Sequence, residues 1–142
     1  MKPEAGDILD VSAEQLMGLV PQLGDSYLQG STAIHALLMR FAAREYERGA
    51  DIRARENAEM RAVFAALAPA LRDAALKARL EAAAATRDAS LAISALDAAN
   101  AQLKGLLIAL HVHVEDAGER ESSRRLWRLL KEMAERRVVS LF

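Results

Sequence analysis

The stretch Val63-Phe64-Ala65-Ala66-Leu67-Ala68-Pro69-Ala70-Leu71-Arg72-Asp73-Ala74-Ala75-Leu76 decides the fold. Up to Leu67 its apolar residues recur at helical spacing, and then Pro69 removes a backbone donor and stops the helix. Helical spacing resumes at once, with Leu71, Ala74, Ala75, Leu76 and Leu80 on one side. Two helical arms joined at a proline must fold back, because neither buries its apolar stripe alone.

Upstream, the first arm reaches back to Asp25 or Ser31, either of which can cap it. It is expected to be one helix over about 26–67, roughly 60 Å long at 1.5 Å per residue. Its stripe is Ile34, Leu38 and Phe41, then Ile52, Met60, Val63, Phe64 and Leu67. The stripe thins between Arg40 and Arg61, where six arginines and five acidic residues lie. Asp51 with Arg55, and Arg55 with Glu59, are four apart and can pair across a solvated helix face. A short helix over 12–20 precedes this arm. There Ser12-Ala13-Glu14-Gln15 matches a capping box, and Pro21 and Gly24 follow as stops.

Downstream, the second arm spans about 70–117. It is either continuous or broken near 86, where Thr86 or Asp88 can cap a new helix. Leu96, Ala99, Leu103, Leu106, Leu110 and Val114 form its cleanest amphipathic stretch, which Gly118 closes. A last helix over about 122–138 starts near Ser122 or Ser123. Its apolar face is Leu126, Leu129, Leu130, Met133, Ala134 and Val138, and its other side is basic. The chain ends on the apolar residues Val139, Leu141 and Phe142.

The fold class is therefore all-α, in a single domain of residues 1–142. It is either an elongated antiparallel long-helix hairpin of coiled-coil type or a four-helix bundle with short terminal helices. In the hairpin, residues whose numbers add to about 139 lie opposite each other. Composition agrees. Ala and Leu supply 51 of the 142 residues, and both are strong helix formers. The alanine-rich stretch Ala82 to Ala85 permits close helix approach but thins the core, so a homo-oligomer can complete the bundle.

Charge and composition exclude several functions. A net charge of −1 argues against nucleic acid as the main partner. The absence of cysteine removes disulfides and thiolate sites. The longest nearly apolar run, Gly105 to Val114, is about half of what a membrane span needs. The N-terminus lacks the pattern of a signal peptide, so a cytoplasmic location is expected. No Gly-rich phosphate loop, G-x-S-x-G or H-E-x-x-H pattern occurs, so no catalytic residues and no cofactor are assigned.

Two candidate sites remain. His111 and Glu115 are four apart and can present two ligands on one face, with His35 on the other arm. These are weak candidates for a metal or small ligand held between helices, in a self-associating bundle that could be an enzyme. The stronger candidate is the last helix. Residues 119–142 carry a net +3 against −4 for residues 1–30. Either the two ends attract within the fold or the basic end meets an acidic partner. Trp127 is the only tryptophan, and Trp and Arg are enriched where partners bind. The expected protein-binding site is Arg124, Arg125, Leu126, Trp127, Arg128, Leu130 and Met133. The anchors would be Leu126, Trp127, Leu130 and Met133, steered by the arginines.

About half of the chain resembles the flagellar export chaperones that escort hook–filament junction proteins. The resemblance lies in Glu45 through Leu67, which includes Gly49-Ala50-Asp51. It continues in Ile93-Ser94-Ala95-Leu96-Asp97-Ala98-Ala99-Asn100, followed by Leu103 and Leu106-Leu107. It implies a cytoplasmic, helical, non-enzymatic chaperone that binds a helical segment of its client. The chain differs at its end, where a basic amphipathic helix with Trp127 replaces a polar tail.

Overall fold

The computed structural model describes residues 4–138, among which helices are the only regular elements and no strand occurs. The helices are α1 (Ala5–Leu19), α2 (Ser26–Leu67), α3 (Ala74–Ala84), α4 (Ile93–Asp116) and α5 (Arg120–Arg136). Contacts group the described chain into two compact units, one within residues 4–49 and one over Ala50–Val138. Helix α2 contributes residues to both. The expected apolar chain end, residues 139–142, lies outside the described residues.

The first unit is a helical hairpin. Helix α1 begins at Ala5, a full two turns before the expected start at 12. Ser12 therefore lies inside α1, and Glu4 occupies the N-cap without a side-chain bond. A short 3-10 turn containing Pro21 follows. Asp25 then caps α2, its carboxylate accepting from the Leu28 N–H at 2.9 Å. Gly6 lies beside Tyr46, and Leu23 accepts from the Gln29 side chain at 2.7 Å. Paired position numbers thus add to a constant, as antiparallel helices require. The seam is built from Ala13, Ala36 and Ala43, all buried. The expected core residues Ile34, Leu38 and Phe41 are instead exposed. They lie half a turn from Ala36 and Ala43 and so face away from α1.

The second unit is a four-helix bundle made from the last part of α2 with α3, α4 and α5. Pro69 sits in a 3-10 turn at Ala68–Ala70, and Asp73 caps α3 by accepting from the Leu76 N–H. The second arm is broken, as the bundle alternative requires. Neither Thr86 nor Asp88 caps α4, which starts after Ala92 with no side-chain cap. Thr86 accepts from Arg61 at 3.0 Å, and Asp88 accepts from Asn57 at 3.1 Å and Arg61 at 2.8 Å. Both hold the loop down.

The break reverses the expected register. An antiparallel arm would set Asn100 opposite a residue near 39, but it meets Glu56 and Asn57. The pairs Arg53–Asp97 and Glu56–Asn100 share a separation of 44 residues. A constant difference means that α4 runs parallel to α2. Arg136 meets Glu59 while Arg137 meets Glu56, so α5 runs antiparallel to α2. The bundle is up-down-up-down. Between α4 and α5, Gly118 has φ +68°. Its N–H donates to Glu115 O, and the Glu119 N–H donates to Val114 O, both at 3.0 Å. This left-handed reversal, which glycine adopts without steric cost, starts α5 at Arg120 rather than at Ser122 or Ser123.

The apolar core joins Met60, Val63, Phe64, Leu76, Leu80, Leu103, Leu107, Leu110, Leu126, Leu129 and Met133, among others. Beside it lies a polar network where a solvated face was expected. Glu56 and Asn57 are fully buried, and Asn100 nearly so. Arg137 donates to both Glu56 oxygens at 2.7 Å. Asn100 donates to Glu56 at 3.1 Å and to Asn57 at 2.9 Å, and Lys104 lies 3.7 Å from the carboxylate. Glu59 pairs with Arg136 at 2.6 Å, while the expected Asp51–Arg55 pair forms at 3.1 Å on the surface. Burial pushes the Glu56 carboxyl up. The bonds and charge of Arg137, with Asn100 and Lys104, outweigh burial and hold it below the usual carboxylate range.

A depressed carboxyl stabilises the fold above its unfolded-state value and loses that contribution as pH falls through the lower folded value. Urea unfolding followed by circular dichroism should therefore show wild-type stability declining in acid below that range. Arg137→Ala strands a buried carboxylate and should cost about 3 kcal/mol near neutral pH. That cost should shrink on acidification, when Glu56 takes up a proton. A cost independent of pH would show that Arg137 acts by packing alone.

Candidate functional site

Helix α5 is held from two sides. Leu126, Leu129 and Met133 enter the core, and Arg136 and Arg137 clamp its end to α2 through Glu59 and Glu56. Part of the basic charge noted in the sequence is thus neutralised inside the bundle. The remainder lies outside. Arg120, Arg124, Trp127 and Lys131 recur at spacings of four, three and four, so they share one stripe with Arg128 beside it. All five are exposed, and Trp127 is 58% exposed. Its ring meets His111 of α4 edge to face at 5.1 Å. That contact fixes the indole's base while leaving its outer surface to solvent. A shallow depression of about 310 Å³ opens at the start of the stripe, between Val114, Gly118, Ser123 and Arg124.

The seven residues expected to bind a partner therefore separate. Arg124, Trp127 and Arg128 share the outer surface. Arg125 is exposed, but two residues from Trp127 place it on the opposite flank. Leu126 and Met133 are core residues, and Leu130 is half-buried against the core. The buried side chains of Leu126 and Met133 fix the position of the helix. Sequence reasoning missed Arg120 and left Lys131 on the basic side of the helix without assigning it to the site. Their spacing from Trp127, seven and four residues, was the available signal.

The histidine candidates do not assemble. His35 belongs to the first unit, where its Nδ1 lies 2.7 Å from Ser31 O. His111 Nε2 lies 3.2 Å from Glu115 Oε1, off the line of a good hydrogen bond. Among the described residues no group of three His, Asp or Glu side chains could hold a metal. No helix among them is long and apolar enough to cross a membrane.

Comparison with protein-family models, curated proteins and solved structures finds no match.

Stability measurements separate the two kinds of residue on α5. Leu126→Ala should cost about 2–5 kcal/mol through lost burial and a cavity. Trp127→Ala should cost about 1 kcal/mol or less. Equal costs in urea unfolding would place Trp127 in the core.

Proposed function

We propose that the protein is a non-enzymatic helical interaction module that binds an acidic, amphipathic helical segment of a partner protein along the outer face of α5. One observation carries this reading: an exposed tryptophan, braced by His111, stands in the middle of a basic stripe. Indole supplies large contact area with few rotatable bonds, and flanking guanidinium groups complement carboxylates. A partner helix with acidic residues at three- and four-residue spacing would follow the stripe and set an apolar side chain against Trp127. The export chaperones of flagellar junction proteins are the members of this class that the sequence resembles, and we favour that role.

The test compares the full-length protein with Arg124→Glu/Trp127→Ala. Both are immobilised and exposed to lysate of the source cells, and a retained protein is purified and titrated against each. The expected result is a partner with an acidic helical segment, bound about tenfold or more weakly by the variant. A flagellar filament or junction protein would establish the chaperone role. Equal binding by both forms, or no partner for either, would overturn the reading.

A further inference from the structure

The first unit leaves a second apolar surface unused. On α2, Tyr27 is 79%, Ile34 58%, Leu38 59% and Phe41 45% exposed. With Ser31 they follow the alternating four- and three-residue spacing of a helix-pairing seam. The opposite face of the same segment, Ala36 and Ala43, is the one that packs within the unit.

We propose that this seam pairs antiparallel with the same seam of a second copy of the chain. Two features choose that occupant. The first is shape. A depression of about 400 Å³ lies at the start of the seam, lined by Ser26, Tyr27, Gly30, Ser31 and Ile34. Nothing lies within 4 Å of where a side chain at Gly30 would begin. The aromatic ring of Phe41 lies ten residues further along, about 15 Å by helical rise. When Phe41 of one copy is set over Ser31 of the other, Leu38 meets Ile34 and Glu45 meets Tyr27. A two-fold axis repeats each contact, so each copy's ring fills the other's depression. The second feature is charge. On α2 the residues from Ser26 to Met39 carry no acidic or basic side chain besides His35, Asp25 stands just before them, and Arg40, Arg44 and Arg48 lie at the far end of the seam with Glu45 and Glu47 among them. Antiparallel pairing brings Arg48 towards Asp25. Parallel pairing would stack Arg48 on Arg48 and Glu45 on Glu45, which is unfavourable.

The test measures mass by light scattering over a concentration series of the full chain. The expected species is twice the 15.5 kDa chain. Leu38→Glu should return it to the single-chain mass with its helical circular dichroism retained, because Leu38 is exposed. Adding Ile34→Lys to that variant should restore the doubled mass, because each Glu then faces a Lys. A second experiment keeps the seam apolar and uses the absence of native cysteine. Ser31→Cys and Phe41→Cys proteins are mixed under mild oxidation. A disulfide between the two different variants confirms the antiparallel register, since bridging needs Cα atoms within about 7 Å. A single-chain mass at every concentration would overturn the proposal. So would a doubled mass unaffected by Leu38→Glu, or disulfides only between identical variants.

Discussion

The second unit depends on one carboxylate. Glu56 has no exposed surface, yet it stays charged because α4 and α5 both bring donors to it. Apolar contacts are not directional and would tolerate a slip of one helix along another. The bonds from Asn100 and Arg137 do not. A one-turn shift of α4 would part Asn100 from Asn57 and leave polar groups buried without partners, at the desolvation cost of each. The network thus selects one axial offset among several that Met60, Phe64, Leu103 and Leu107 alone would accept.

The first unit rests on different physics. Its buried hydrophobic positions, Ala13, Ala36 and Ala43, are alanine, which allows close approach but removes less apolar area from water than leucine does. Tyr27, Ile34, Leu38 and Phe41 of α2 point outward, where they are open to association. The second unit does the reverse. It uses its leucines for the core and exposes Trp127 among cationic groups. The two units therefore offer chemically distinct surfaces: one apolar and self-complementary in shape, the other basic with a single aromatic.

Much of the fold was legible because local signals were strong. Asp25 as a cap and Pro69 as a stop mark α2 at Ser26–Leu67, and Gly118 marks the last reversal. The start of α1 was missed because Glu4 makes no side-chain cap, while Ser12 imitates one from inside the helix. The direction of α4 was missed because a register argument assumes a continuous arm. The loop between Ala84 and Ile93 adds a second reversal. The charged middle of α2 looks solvated when charge is weighed before position. Glu56 and Asn57 lie one turn before Met60, on the stripe that continues to Phe64. Asn100 carried the same message, as a lone polar residue between Leu96 and Leu103 on an otherwise apolar face. Of the candidate site, Trp127 and its arginines were visible in the sequence. Which leucines of α5 the core would claim was not, because that depends on where α2 and α4 lie.

The network also constrains how such a sequence can drift. Glu56, Asn57, Asn100 and Arg137 are far apart in the chain but form one bonded set. Losing Arg137 alone leaves a buried charge with only Asn100 and Lys104 beside it, and losing Glu56 alone removes the acceptor that Asn100 and Arg137 share. Replacing the set together with apolar residues of similar volume removes both penalties. Substitution at these four positions is therefore energetically coupled: exchanging the set whole costs less than exchanging its members one at a time.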